Sequence, residues 1–248
     1  MVQASHLVIR LQRFIQLTPM ERKVIARLET PDQPLPRNHV LVSPGDALTD
    51  IFVLRRGWAV ERSGERASGR SAIIRIYLPG DFVGLGEIAG GVAHSELAMQ
   101  TDGAVARFPR QTMRDLYAET PRLAALMTSL TSLDHLTLRE RVRGLIRLDA
   151  EERLIQFLVL LYNRYSMAMA MPVERLPLPF SQAELGDILG LTSVYVNRLL
   201  RKLREEGRLE LHQRSVRLLD RAHMEAQVGY RDPHSQLDTS WFPAPVGL

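Results

Sequence analysis

Cysteine is absent from the 248 residues, and this absence removes several classes of function at once. Without a thiol the chain cannot form a disulfide, ligate an iron–sulfur cluster through cysteine or sense redox state by thiol chemistry. Lysine is nearly absent as well: of the 32 basic residues, all except Lys23 and Lys202 are arginine. Arginine suits bidentate contacts with phosphate and guanine, although a GC-rich genome would produce the same bias.

Long apolar runs are missing too. No stretch of about 18 consecutive apolar residues occurs, and Gln3, Ser5, His6 and Arg10 interrupt any apolar core near the start of the chain. We therefore expect no membrane association and a cytoplasmic location. With 45% hydrophobic and 24% charged residues, the composition is that of a globular protein with room for two modest domains.

No catalytic or metal-binding constellation is legible in the sequence. Ser132, Asp134 and His135 follow one another too closely along one predicted helix to form a triad. Histidines are scattered without metal-ligand spacing: His6, His39, His94, His135, His212, His223 and His234. We therefore expect neither an enzyme nor a protein that holds a metal or another cofactor.

Residues 181–203 carry the most informative pattern of the chain. Ser181 and Glu184 form an S-x-x-E capping box that starts one helix, and Gly190 can take the left-handed conformation that ends it. Thr192 then caps a second helix. Small Gly186 and a set of apolar residues recur at the spacing of a helix-turn-helix: Leu185, Leu189, Leu191, Val196 and Leu199. The pattern predicts a DNA-binding motif, the alternative being a helical hairpin with a solvated basic face.

The second helix of this motif divides into an inward and an outward face at 100° per residue. Val196, Leu199, Leu200 and Leu203 are predicted to lie inside. The residues expected to contact DNA lie on the outward face, near the helix starts and in the following turn: Gln182, Thr192, Ser193, Val194, Tyr195, Asn197, Arg198, Arg201 and Arg214. Arg198 could bind guanine through O6 and N7, and Val194 could touch a thymine methyl group.

The segment after the second helix predicts a two-stranded wing. Residues 208–211 and 216–219 alternate as strands around a turn at residues 212–215. Arg214 at the tip of this turn is expected to meet a DNA phosphate, the ordinary alternative being a solvated arginine. The motif is therefore predicted to be a winged helix-turn-helix.

The preceding half of the chain predicts a small jelly roll. A helix at Leu7–Leu28, restarted at Thr18-Pro19, comes first. Short alternating runs then occur at residues 51–54, 58–60, 71–77, 96–99 and 104–108. They are separated by turns rich in glycine and proline, at residues 44–46, 64–69 and 79–81.

Thr120 and Pro121 open a long helix with no strong breaker before Gly144, a span on the order of 36 Å. Leucines at 3-4-3 spacing are expected to form a dimer interface: Leu123, Leu126, Leu130 and Leu133. The alternative is that these leucines cover the jelly roll of their own chain. Asp149 and Glu152 are predicted to cap a further helix from Ala150 to about Tyr165, and residues 166–178 are expected to be a loop.

These segments predict an α+β protein in four parts. They are a jelly-roll domain with its N-terminal helix at 1–118, a dimerisation helix and hinge at 119–148, a winged helix-turn-helix domain at 149–222, and a mobile tail at 223–248.

The order of these parts resembles the Crp/Fnr family of bacterial transcription regulators over roughly residues 15–220. Four motifs carry the likeness: Pro44-Gly-Asp leading to Ile51-Phe-Val-Leu-Arg-Arg-Gly57, Pro79-Gly-Asp-Phe-Val-Gly84, Ala150-Glu-Glu-Arg-Leu154 and Glu184-Leu-Gly-Asp-Ile-Leu-Gly-Leu-Thr192. The last two look closer to the Fnr and FixK side. The resemblance implies a cyclic-nucleotide-binding-type jelly roll and a homodimer that binds a two-fold operator in double-stranded DNA. It also implies contact with RNA polymerase to activate or repress. The alternative is a ligand-receptor subunit without DNA binding, but such a subunit would lack the helix-turn-helix and wing predicted at residues 181–217.

The sequence departs from the family pattern at the effector position. In cyclic-nucleotide-binding members a glycine–glutamate pair binds the ribose, and a later arginine binds the phosphate. Here the stretch 93–96 has no arginine, and Glu96 would repel an anion. The possible effector pocket comprises Gly84, Leu85, Gly86, Glu87, His94 and Ser95. Cyclic AMP is not expected, the effector is unknown, and control by the protein's own abundance stays equally open.

The reading helix departs from the pattern as well. Members that read the Crp-type half-site carry arginine, glutamate and arginine on this helix. Only Arg198 matches, since Ser193 and Val194 stand at the first two positions. The operator is therefore expected to differ.

Overall fold

The computed structural model describes residues 5–29, 31–63, 72–235 and 237–245. The turn predicted at residues 64–69 lies outside the described residues. The helices are α1 (His6–Gln12), α2 (Pro19–Ala26), α3 (Thr112–Glu119), α4 (Pro121–Arg147), α5 (Ala150–Ala168), α6 (Gln182–Leu189), α7 (Ser193–Glu205) and α8 (Arg221–Gln227). The strands are β1 (Gln33–Leu35), β2 (Val40–Val42), β3 (Asp50–Arg56), β4 (Ala59–Ser63), β5 (Ile73–Tyr77), β6 (Phe82–Val83), β7 (Ser95–Met99), β8 (Gly103–Pro109), β9 (Leu176–Pro177), β10 (Leu209–His212) and β11 (Ser215–Leu218).

The first half of the chain forms the predicted jelly roll. Two antiparallel sheets, in the orders β1-β8-β3-β6 and β2-β7-β4-β5, enclose a core that includes Leu54, Leu97 and Val105. The helix predicted before the roll is present as two helices. Thr18 and Glu21 form a capping box at the start of α2, with Pro19 at its first position. A proline there restarts a helix because its missing N–H has no intrahelical partner to lose.

Helix α4 runs through Gly144 and reaches 27 residues. The four leucines proposed from the sequence as a dimer interface lie inside their own chain: Leu123, Leu126, Leu130 and Leu133 are 0%, 0%, 3% and 5% exposed. They pack with α1, α2 and the first sheet in one core. That prediction is wrong, and the alternative that these leucines cover the jelly roll is confirmed. The spacing of an apolar stripe shows which face of a helix is buried but does not show what covers that face.

Helix α5 begins at the predicted capping box, in which the Glu152 N–H donates to the Asp149 carboxylate over 2.9 Å. The loop expected at residues 166–178 contains more structure than the sequence suggested. Its first residues complete α5, and Leu176–Pro177 forms β9, which pairs with β11. The wing sheet therefore has three strands, in the order β10-β11-β9, rather than the two predicted. A two-residue strand has too little alternation to be recognised in a sequence.

The described part of the tail is folded rather than mobile. Met224 and Val228, in and after α8, are buried in the core that α5 also forms. Farther along, Leu237 and Phe242 pack against the N-terminal core. The tail was expected to be mobile because its prolines and polar residues show no periodicity. Its few apolar side chains instead find partners far away in the sequence.

Three sets of contacts join the jelly roll to the C-terminal domain. Trp58 of the roll stacks on Tyr165 at 5.5 Å and meets Phe180 edge-on at 5.9 Å. The buried Gln100 side chain donates to the Pro179 carbonyl and to Glu184, both over 2.9 Å. Arg164 of α5 pairs with Asp81 over 3.0 Å. These contacts, made by aromatic, amide and charged groups, hold α5 and α6 against the roll.

Candidate nucleic-acid interface

The turn between α6 and α7 is built as its sequence predicts. Ser181 accepts a hydrogen bond from the Glu184 N–H over 3.2 Å, and Glu184 accepts one from the Ser181 N–H over 2.7 Å. Gly190 ends α6 at φ +67°, a left-handed conformation that costs glycine little. Thr192 then caps α7 by accepting from the Tyr195 N–H over 3.3 Å. These local bonds set the direction in which α7 leaves the turn.

Gly186 determines how closely the two helices approach each other. A Cβ atom built at this position would lie 2.6 Å from the backbone carbonyl oxygen of Leu191. That distance is shorter than any van der Waals contact allows, and a backbone atom cannot turn aside. The helix-turn-helix therefore closes only because residue 186 has no side chain.

The predicted inner face of α7 lies in the core. Val196, Leu199, Leu200 and Leu203 are all buried, in a cluster that also contains Leu185 and Leu189 of α6. Because these side chains hold one side of α7 against the domain, the other side of the helix is left to solvent.

The candidate DNA contacts, together called the outward surface, lie on α6, on α7 with its N-cap residue, and in the turn between β10 and β11. Exposed members are Gln182, Thr192, Ser193, Val194, Asn197, Arg198, Arg201 and Arg214. Val194 is 79% exposed, so its apolar side chain is accessible to a partner. Tyr195 alone is half-buried, with its ring against the core of the domain.

The cations of this surface divide into free and neutralised groups. Among the described residues, Arg198, Arg201 and Arg214 form no ion pair, and neither does the exposed Arg204, which the sequence analysis did not single out. Basic residues of the second group are bound to Glu151: Lys202 over 2.5 Å and Arg208 over 3.1 Å. These four arginines thus have no carboxylate partner within the described chain and are available to bind a polyanion.

Arg214 lies in the turn between β10 and β11. Gln213 beside it adopts φ +51°, and the Arg214 carbonyl accepts a hydrogen bond from the Leu178 N–H over 2.7 Å. This backbone bond anchors the turn to the segment after β9, while the Arg214 side chain is exposed.

The six residues predicted as an effector pocket do not converge. Gly86 and Glu87 line a cleft of about 290 Å³ between β5, α4 and α5. Gly84 and Leu85 lie in the interior, Ser95 pairs with β4 in the sheet, and His94 is exposed. The cleft is lined mainly by side chains that the sequence analysis did not assign to it.

Charges in the cleft cancel formally, with three arginines against three carboxylates: Arg75, Arg141 and Arg164 against Glu61, Glu87 and Asp134. Arg75 pairs with Asp134, and Arg164 pairs with Asp81. Arg141 donates to the backbone carbonyls of Ile74 and Ile188. Burial lowers the pKa of Arg141, and the neighbouring Arg164 lowers it further. The sequence contained one signal for these cleft residues, which is a charged residue within an apolar strand: Arg75 lies in the run Ile-Ile-Arg-Ile-Tyr.

Two negative observations apply to the described ranges 5–29, 31–63, 72–235 and 237–245. No helix in them is both long and apolar enough to cross a membrane. No group of three or more histidine, aspartate or glutamate side chains there has a geometry that could hold a metal ion.

Comparisons with known proteins agree with this arrangement. Residues 32–120 match the family described as the cyclic nucleotide-binding domain, and residues 152–227 match the Crp-like helix-turn-helix domain. The chain belongs to the Crp/Fnr family of transcription regulators.

Curated relatives of this Crp/Fnr regulator carry names from the Fnr group. The anaerobic regulatory protein of Aggregatibacter actinomycetemcomitans is 28% identical over 193 residues, which cover 77% of this chain and 74% of the relative. The transcriptional activator protein FnrA of Stutzerimonas stutzeri is 26% identical over 197 residues, which cover 79% of this chain and 80% of FnrA. The solved structure of FixK2 from Bradyrhizobium japonicum shares the fold, with a TM-score of 0.70 and 22% identity, over 79% of this chain and 95% of FixK2.

The predicted family, fold class and DNA-binding regulatory function are thereby confirmed. The relatives of this chain are named as transcription regulators. Unlike a cluster-binding sensor, this Crp/Fnr regulator has no cysteine with which to ligate iron.

Proposed function

We propose that this protein controls transcription by binding a two-fold operator as a homodimer, with one α7 in each half-site. The observation that carries the proposal is the division of α7, whose inner face is buried and whose outer face is exposed with unpaired arginines. Family regulators bind DNA and act as dimers, and an operator-reading helix needs a symmetric partner to gain specificity.

The dimer interface follows from the face of α4 that the chain itself leaves uncovered. Residues at 4-3-4-3 spacing form this surface, called the α4 stripe: Thr131, His135, Leu138, Val142 and Leu145. Leu138, Val142 and Leu145 are 49%, 48% and 51% exposed. Alternating steps of three and four residues keep the stripe straight along a two-helix seam. Two copies of α4 would bury these apolar side chains against each other.

Each DNA contact takes its role from the position of its side chain. Arg198, which forms no ion pair with a described carboxylate, would bind a guanine through O6 and N7, and Val194 would touch a thymine methyl group. Backbone phosphates would be bound from the helix starts and the wing, by residues that include Gln182, Thr192, Ser193, Asn197, Arg201 and Arg214.

Cyclic nucleotides are not part of the proposal. A nucleotide phosphate in the cleft would find Arg75 and Arg164 already paired with carboxylates, and Arg141 bound to two carbonyl oxygens. Displacing those partners would leave buried charges uncompensated. We propose regulation by abundance or by a different small molecule.

The domain organisation proposed from the structure extends the DNA-binding unit through α8, because Met224 packs in its core. The roll at residues 1–118 and the helix and hinge at residues 119–148 keep their predicted bounds. Action in the cytoplasm and contact with RNA polymerase to activate transcription complete the proposal by analogy with the family.

Fluorescence anisotropy with operator duplexes tests these roles. Arg198→Ala should cost on the order of 1–3 kcal/mol and relax preference at one guanine in each half-site. Arg214→Ala should weaken binding to all duplexes equally and reduce the salt slope by about one. Arg114→Ala, on the jelly roll, is the matched control and should change neither. If Arg198→Ala lowered affinity for all sequences equally, Arg198 would be a phosphate contact and the assigned reading face would be wrong.

A further inference from the structure

Tyr195 and Arg198 form a stacked pair on the outward surface of α7. The guanidinium carbon of Arg198 lies 4.3 Å from the centre of the Tyr195 ring. The two residues are three positions apart on the helix, so their side chains are neighbours on one face. Since helical side chains lean towards the N-terminus, Arg198 reaches back over the ring by default.

The ring is the fixed member of this pair. Tyr195 is half-buried against the core of the domain, and its backbone N–H is held by the Thr192 hydroxyl. Arg198 is exposed and forms no hydrogen bond or ion pair to a described residue. A long side chain in this situation would ordinarily sample many rotamers, and ordering it on binding would reduce affinity.

No described carboxylate forms an ion pair with Arg198. Glu151 is already bound by Lys202 over 2.5 Å and by Arg208 over 3.1 Å. Asp149 accepts the Glu152 N–H in the capping box of α5. The ring is therefore the one partner that the described residues give to the guanidinium, whose central carbon lies over the ring.

We propose that Tyr195 is a positioning residue for base recognition: its ring holds the Arg198 guanidinium so that the two-pronged N–H edge points outward to a guanine. This inference rests on the proposed reading role of Arg198 and replaces the direct DNA contact expected of Tyr195. A guanidinium that is already oriented loses less conformational entropy on binding, so more of the free energy of its hydrogen bonds contributes to discrimination between bases.

Two kinds of substitution separate this role from a phosphate contact by the tyrosine hydroxyl. Tyr195→Phe keeps the ring and removes the hydroxyl, while Tyr195→Leu and Tyr195→Met keep an apolar side chain and remove the ring. The quantity to measure is the discrimination ratio, the affinity for the operator divided by the affinity for a duplex with the recognised guanine replaced.

Tyr195→Phe should retain the discrimination ratio of the unaltered protein. Both non-aromatic variants should lower it by about three- to thirty-fold, the range that a cation–π contact gives from exposed to desolvated surroundings. In an Arg198→Ala background the same changes should have no effect on the ratio, because the positioned group is gone. Circular dichroism should show that each variant is folded. Two ringless variants are made so that the ratio can still be measured if one of them does not fold.

The inference is overturned if Tyr195→Phe and both ringless variants weaken binding to all sequences equally and leave the discrimination ratio unchanged, since the hydroxyl would then contact phosphate and the ring would not position Arg198. It is also overturned if either folded ringless variant keeps full discrimination. Failure of the proposed function is a separate result, because in that case the unaltered protein would itself show no preference for the operator and Arg198→Ala would change nothing.

Discussion

Gly186 is the residue on which the helix-turn-helix depends most directly, since its missing side chain lets α6 approach Leu191. Gly186→Ala should destabilise the C-terminal domain by about 1–3 kcal/mol, because the added Cβ meets a backbone oxygen that cannot move aside. Denaturant unfolding monitored by circular dichroism measures the change. Gly91→Ala is the matched control, because a Cβ there has no atom within 4 Å. Equal stability of the two variants would contradict the close approach.

Residues that act through local sequence could be predicted, and residues that act through distant partners could not. Ser181, Gly190 and Thr192 make their contacts within a few positions, so their roles are legible in the sequence. The ion pair of Arg75 with Asp134 joins residues 59 positions apart. Neither charged residue shows in the sequence that it has a partner. The cleft, whose arginines are already paired within the chain, could therefore not be predicted before the structure.

At the scale of elements, α4 contains two apolar faces with different partners. Its leucines in the first half pack inside the chain, while the α4 stripe is left exposed towards the second half. Leu138→Glu with Val142→Glu should separate the proposed dimer and leave the protomer folded, because these side chains contact solvent in the single chain. Light scattering and circular dichroism measure the two effects.

Two control variants belong to this experiment on α4. Leu136→Glu changes another exposed leucine away from the α4 stripe and should leave the dimer mass unchanged. Leu126→Glu with Leu130→Glu should instead unfold the protein, since each glutamate would enter the interior at a cost of several kcal/mol. A dimer that survives Leu138→Glu with Val142→Glu would place the interface elsewhere.

The helices of the C-terminal domain were predicted better than the dimer interface, because the sequence patterns that mark helix starts involve residues close together in the chain. Capping boxes at Ser181 and Asp149 place the starts of α6 and α5 where the structure has them. The leucine spacing of α4 was equally clear, but the core that contains Leu126 includes residues of α1 and α2, which lie more than 90 positions earlier. Periodicity identifies a buried face and leaves its partner undetermined.

The whole molecule should not respond to cyclic AMP or cyclic GMP. All three arginines of the cleft are engaged by the chain itself, and the stretch 93–96 has no arginine for a phosphate. Titration calorimetry with millimolar nucleotide should therefore show no saturable binding, and operator affinity should be the same with and without the nucleotide. Saturation in the micromolar range would contradict this reading of the cleft.

In the proposed function, two copies of the chain read a two-fold operator with α7. Selection of binding sites from random duplex DNA by the unaltered protein tests this proposal. The selected sites should share a two-fold-related sequence whose half-site centres lie about one helical turn, roughly 34 Å, apart, since both copies of α7 must enter the major groove from one side of the duplex. Recovery of a single unrepeated site, or of no common sequence, would contradict it.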